Sequence, residues 1–247
     1  MLINPIIAGL TVRQALARRR WIIVTVLAAL PVVMAVLIRI YAETDEKSLA
    51  DMASLLPALS FTVVVPFVAL VLASSGFGAE IDDGTVVYLL TKPTPRSEIV
   101  LTKFVVTASI CVVLTFLSTV AAGSIAIGGL DSTGLVLGFG IGAALGSVLY
   151  TAVFLALGLI TRRGLLVGLV YLVVWEGTLA RLFAGTRNLS IRQYMLSVAD
   201  AVSSVDASVF VAQLPAARAC WMSGVVLFGA LALCITRLRN FEIGQAG

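Results

Sequence analysis

Long apolar runs separated by short polar stretches set the rhythm of this chain. Six runs stand out: Trp21 to about Ile40, Leu55 to Ser75, Val100 to Ile127, Gly134 to Ile160, Leu165 to Phe183 and Ala219 to Thr236. A spanning α-helix needs about 20 apolar residues, and each run reaches or nearly reaches that length. Barrel strands would alternate in polarity over segments of about ten residues instead. A bilayer offers the backbone no hydrogen-bond partner, so only helices and closed barrels can cross it. The pattern therefore predicts an all-α polytopic membrane protein with six transmembrane helices, folded as a single transmembrane domain over residues 1–247.

Three stretches fall outside the runs. Residues 5–20 open with Asn4-Pro5, an N-cap followed by proline at the first helical position. Ile6, Leu10 and Ala17 can share one face, which predicts an amphipathic helix on the inner membrane surface; the plainer reading is a basic tail. A cleavable signal peptide would place its basic region directly before a short apolar core, and none is expected here. Residues 184–218 are too polar to span. Within them Ile191, Tyr194, Met195, Val198, Val202 and Val205 recur at helical spacing, with Arg192, Asp200 and Asp206 on the other side. This predicts an outer helical hairpin re-entering the membrane between the last two spans, with Pro215 starting the approach to the sixth. The third stretch, residues 76–99, carries the most information and is taken up below.

Composition sharpens the picture. Of 247 residues, 60% are hydrophobic and 12% charged, about half the charge of a soluble domain. With an inner N-terminus, the inner segments hold Arg13, Arg18, Arg19, Arg20, Lys92, Arg96, Lys103, Arg162, Arg163, Arg237 and Arg239. The outer ones hold Arg39, Lys47, Arg181, Arg187, Arg192 and Arg218. The excess places both termini in the cytoplasm of a cell (inner or plasma) membrane protein. The net charge of +4 is thus a topology signal and not a nucleic-acid footprint. The acidic stretch Tyr41 to Ala53 reads as a solvated outer cap.

Candidate chemistry is sparse. The chain has no histidine, which removes the commonest general base and metal ligand. Cys111, Cys220 and Cys234 lie far apart inside apolar runs, as small buried hydrophobes do, so no metal site is expected. Glu176, beside Trp175, is the one acid within an apolar run. A carboxylate at membrane depth faces a cavity or a partner, so the pair either lines a translocation path or sits at the outer interface in reach of water. Gly134, Gly138, Gly142 and Gly146 form a stripe of glycines at every fourth position, which lets another backbone approach closely. That stripe is either a sliding or dimer interface or tight packing within one subunit.

In residues 76–99, Val86, Val87, Leu89 and Leu90 make a short apolar patch. Lys92-Pro93-Thr94-Pro95-Arg96 breaks the helix with two prolines, and Thr94-Pro95 restarts one as cap and first helical residue. Glu98 falls in its first turn, where the helix dipole favours an anion. This predicts a short helix, a rigid corner and a second helix leading into the third span. The order of an acid, Gly-Thr, Leu-Leu, a base, proline, a second base and a lysine entering the membrane resembles permease subunits of ABC transporters of the ABC-2 class. Glu80, Gly84, Thr85, Leu89, Leu90, Lys92, Pro93, Arg96 and Lys103 match that pattern, and Asp82 and Asp83 lie in its acidic part. The resemblance implies that this stretch is a cytoplasmic coupling helix docking on a separate ABC ATP-binding subunit. It further implies an inner-surface helix, six spans, outer re-entrant helices, pairing with a second copy or a homologous permease, and export. No cofactor would be bound by this chain; ATP and Mg would sit at the partner. In agreement, no Gly-x-x-x-x-Gly-Lys-Ser/Thr phosphate loop occurs in the chain.

Three function classes compete. A non-catalytic permease subunit of an ATP-driven exporter needs an ATPase partner. A secondary transporter or channel for a small solute would bury several ionisable groups at mid-membrane, where this pattern offers Glu176. An intramembrane enzyme would need acid–base groups, yet Ser74-Ser75 and Ser203-Ser204 have no base in view. The low charge of the spans suggests a hydrophobic or amphipathic cargo.

Overall fold

The computed structural model describes residues 5–15, 18–41, 51–74, 76, 95–129, 134–161, 163–179, 188–204 and 210–239. Among these, no strand occurs. Eight helices follow one another: α1 (Pro5–Ala15), α2 (Arg18–Tyr41), α3 (Asp51–Ser74), α4 (Arg96–Ile127), α5 (Leu135–Ile160), α6 (Gly164–Val170, continued by Tyr171–Leu179), α7 (Ile191–Val202) and α8 (Ala216–Arg239). The protein is an all-α polytopic membrane protein. Among the described residues, five helices are long and apolar enough to cross a membrane: α2, α3, α4, α5 and α8. The predicted fifth span is present as a shorter apolar helix, Gly164–Thr178. At 1.5 Å per residue, this described part is shorter than a bilayer is thick, and positions 180–187 lie outside the described residues.

Helix α5 is the hub, with α3, α4, α6, α7 and α8 all packed on it. Its Phe139 ring lies 5.5 Å from Phe61 of α3 and 5.1 Å from Phe210. Tyr150 and Phe154 stack at 5.7 Å, and Phe154 meets Tyr171 of α6 edge-on. Between α4 and α5 the hydroxyls of Thr115 and Ser147 share a 2.7 Å hydrogen bond. One hydroxyl donates across and the other donates to a carbonyl one turn back in its own helix, Cys111 for Thr115 or Ala143 for Ser147, so the polar pair is satisfied within the apolar core. By contrast α2 and α8 turn many apolar side chains outward, among them Ile22, Val26 and Val33 on one and Trp221, Val225 and Phe228 on the other. Such a surface suits lipid as solvent.

The spans run antiparallel, which fixes the two ends of the bundle. At one end Arg96, opening α4, meets Leu238 near the end of α8, and Lys103 meets Gly76 just beyond α3. At the opposite end the Arg39 guanidinium of α2 lies against Gly128, which closes α4. Gly128 has φ +82°, and Gly134, preceding α5, has φ +71°. Both lie in the left-handed region where a side chain is strained, which explains the glycines of the short α4–α5 connection.

Two stretches depart from the α-helical period. Leu56–Val64 of α3 and Tyr171–Leu179 of α6 are wound as π-helix. In α3 the cause is legible: Pro66 has no N–H and its ring crowds the carbonyl of Thr62. The wider turn relieves this, and the Val65 N–H bonds Ser60 O, five residues back. In both stretches a threonine hydroxyl also reaches a carbonyl five residues earlier, Thr62 to Pro57 and Thr178 to Val173. Long π-helical runs are rare and gather at functional sites.

Several boundaries move from expectation. Pro95 is the N-cap of α4, with Arg96 first in the helix, one residue later than the sequence suggests; Glu98 keeps its place in the first turn. Helix α1 packs on α4 through Ile7, Thr11 and Ala15. Leu10 faces outward and is exposed, so the face proposed around it is the one turned away from the protein. The small side chains at Thr11 and Ala15 permit the close approach. The stretch 184–218 contains α7 among its described residues; positions 184–187 and 205–209 lie outside them.

Candidate functional site

Of the predicted coupling residues, Glu80, Asp82, Asp83, Gly84, Thr85, Leu89, Leu90, Lys92 and Pro93 lie outside the described residues. What flanks them is described. Arg96 is half-buried, and its Nη1 donates to Leu238 O at 2.6 Å. Lys103 is 1% exposed, and its Nζ donates to Gly76 O. A buried ammonium is costly unless partnered, and backbone carbonyls at helix C-termini carry partial negative charge that suits a cation. The spacing of seven residues sets Arg96 and Lys103 on one face of α4. Each thus reaches the C-terminal end of a different neighbour, α8 and α3. Sequence reading found Lys103 only as a member of a pattern; a lysine within an apolar helix start was the available signal that it needs a partner.

At the opposite end, Glu176 is buried, 5% exposed, in the π-helical part of α6. Ser190 Oγ donates to its Oε2 at 2.6 Å, and the Ile191 N–H donates to its Oε1 at 2.9 Å. Tyr150 of α5 also hydrogen-bonds the carboxylate. Ser190 is the N-cap of α7, yet its hydroxyl caps no α7 amide. Glu176 takes that place from outside the helix, setting a carboxylate at the positive end of the α7 dipole. One residue further on, Arg192 Nε donates to Thr62 Oγ1 at 2.9 Å. Both π-helical stretches therefore meet the first turn of α7, one through Glu176 and the other through Thr62. The helical spacing sets Arg192 opposite the apolar face; it is half-buried against α3 because Thr62 offers it an acceptor. Trp175 Nε1 reaches Leu189 O at a long 3.5 Å. Ser190, directly before an amphipathic run, was the sequence signal for the α7 start.

The glycine stripe of α5 lies under α7. A Cβ on Gly138 would fall 2.6 Å from Ala199 O, and one on Gly142 would fall 2.7 Å from Met195 O. One on Gly146 would meet the Met195 thioether at 2.3 Å, and one on Gly134 would lie 3.5 Å from Val202 O. Within the chain, the stripe gives α7 room to approach α5 closely. Among the described residues, no three His, Cys, Asp or Glu side chains come together as a metal site would need.

A family model described as ABC-2 family transporter protein matches residues 14–176. The match runs from α1 through the stretch 76–99 to Glu176 and covers more than half of the chain. A search of curated proteins returns no match. The bundle, its paired polar ends and this match lead to one assignment: the chain belongs to the ABC-2 family of transporter proteins, as a multi-pass membrane permease component.

Proposed function

We propose that this chain is the non-catalytic membrane subunit of an ATP-driven exporter, coupled to a separate ABC ATP-binding subunit through the segment from Glu80 to Arg96. The observation that carries this reading is the residue pattern Glu80, Gly84-Thr85, Leu89-Leu90, Lys92-Pro93, Arg96 and Lys103, which lies within the family match. Leu89 and Leu90 fill an apolar groove on the ATPase, while Glu80, Lys92 and Arg96 set its orientation; Asp82 and Asp83 extend the acidic side. Two permeases, identical or homologous, pair with two ATPase subunits that hold ATP and Mg. Both termini face the cytoplasm of the cell membrane, as the Lys and Arg distribution favours. Closure of the ATPase pair is passed to α3 and α4, and a path between the two permeases opens outward. Trp175 and Glu176 border that path through the α6–α7 contact. The cargo is hydrophobic or amphipathic, in keeping with spans of low charge.

The test is co-expression with an ATP-binding subunit encoded beside this chain. The wild-type permease retains the ATPase through purification in mild detergent. Replacing both leucines, Leu89→Asp with Leu90→Asp, lowers the recovered ATPase about tenfold or more, as loss of a central apolar anchor does. Undiminished recovery together with unchanged nucleotide-dependent behaviour would overturn the docking role.

A further inference from the structure

Resting on that reading, the geometry points to Lys103 and Arg96 as positioning residues that make α4 carry a push at the cytoplasmic corner into α3 and α8 together. Three observations combine. Both cations stand on one face of α4, within its first two turns. Lys103 donates to Gly76 O, in the turn that follows α3, where the Gly76 N–H itself bonds back to Ala73 O. Arg96 donates to Leu238 O in the last turn of α8. The two acceptors are main-chain carbonyls, one in the last turn of α8 and one in the turn bonded back to the end of α3, so each bond grips backbone and not a movable side chain.

Main-chain grip matters because packed helices otherwise slide. Shear between packed helices proceeds by small steps of side chains past one another. A hydrogen bond from a charged donor to a helix-end carbonyl resists that step at the point where the load enters. Pro95 caps α4 and follows the segment proposed to dock on the ATPase in sequence, so displacement of that segment is applied to the start of α4. With Lys103 and Arg96 in place, α3, α4 and α8 move as one at that end. Without them, α4 slips against its neighbours and the displacement fades before the α6–α7 contact at the far end. Lys103 is the stronger member, being almost fully buried, where a cation depends most on its partners.

The experiment uses the full permease–ATPase complex in vesicles, with Cys220→Ser removing the exposed native thiol and Val211→Cys supplying an exposed label site between α7 and α8. The probe is a membrane-impermeant maleimide added outside right-side-out vesicles that are loaded with ATP or with buffer alone. The parent shows a nucleotide-dependent change in labelling rate at position 211. Lys103→Met cuts that change about tenfold, the scale of a typical coupling energy, while ATPase recovery and ATP turnover persist. Lys103→Arg, which keeps the charge and a donor, restores most of it. A parent without ATPase retention or without any response sinks the transporter reading itself. A responsive parent with an equally responsive Lys103→Met sinks only the positioning role. Should Lys103→Met fail to reach the membrane, Arg96→Met decides, with ATPase recovery read alongside: an unaltered response overturns the proposal, and so does a lost response that only tracks lost ATPase.

Discussion

Glu176→Ala unfolds at a temperature roughly 5–10 °C below the parent in detergent, on the usual scale for a chain of this size. The Tyr150 hydroxyl loses its acceptor, and so do two buried donors at the α7 start, the Ser190 hydroxyl and the Ile191 amide. Leaving a buried donor unsatisfied costs about 1–3 kcal/mol, so the pair amounts to about 3 kcal/mol with partial relaxation. The loss is local to the start of α7, since no other carboxylate near it is described as a replacement cap. Hydrogen exchange at Ile191 and the next few amides should therefore rise well before the rest of the bundle opens. Glu176→Gln keeps an acceptor oxygen for one of the two donors and should lose about half as much. A melting temperature within about a degree of the parent, with exchange at Ile191 unchanged, would mean that the carboxylate does not hold α7.

The architecture was legible because a bilayer leaves few options. Length and apolarity alone placed α2, α3, α4, α5 and α8, and the ends moved by only a few residues. The glycines at 134, 138, 142 and 146 likewise announced a close backbone approach. What they could not announce is which backbone: the answer, α7, lies some fifty residues downstream of the stripe and is joined to it only in three dimensions.

Glu176 shows the same limit at a single residue. Its isolation among apolar neighbours flagged a partner, but its donors come from positions 190 and 191 and from Tyr150 on another helix. No spacing rule along one helix connects them; Arg181, five residues on, was the nearest charge that the sequence offered. The π-helical stretches were also hidden, because a period of 3.6 residues is assumed when faces are counted. In α6 the altered winding is part of what carries Glu176 to face the α7 start. Lys103 is the converse case. Its residue type and place were visible in the pattern, while its burial and its bond to Gly76 follow from how α3 and α4 close over it.

The glycine stripe separates packing from helix propensity by the sign of one substitution. Alanine is favoured over glycine within a helix by about 1 kcal/mol. At Gly229 of α8, where an added Cβ meets nothing within 4 Å, Gly229→Ala should therefore raise stability slightly. At Gly138 and Gly142 the same methyl would sit 2.6 and 2.7 Å from the carbonyls of Ala199 and Met195. Those are main-chain atoms of α7 and cannot swing aside, so the helix itself must retreat from α5. Overpacking of this kind typically costs about 1–3 kcal/mol, which outweighs the propensity gain and reverses the sign. Gly146→Ala is the informative intermediate: its methyl meets the flexible Met195 thioether, which can change rotamer, so the loss should be smaller than at Gly138. Combining Gly138→Ala with Glu176→Ala should then destabilise by less than the sum of the two, since both release the same helix and the second acts on an α7 already displaced. Thermal unfolding of the four glycine variants, Glu176→Ala and the double variant in one detergent reads this order directly. Equal effects at Gly138 and Gly229 would show that α7 does not rest on the stripe.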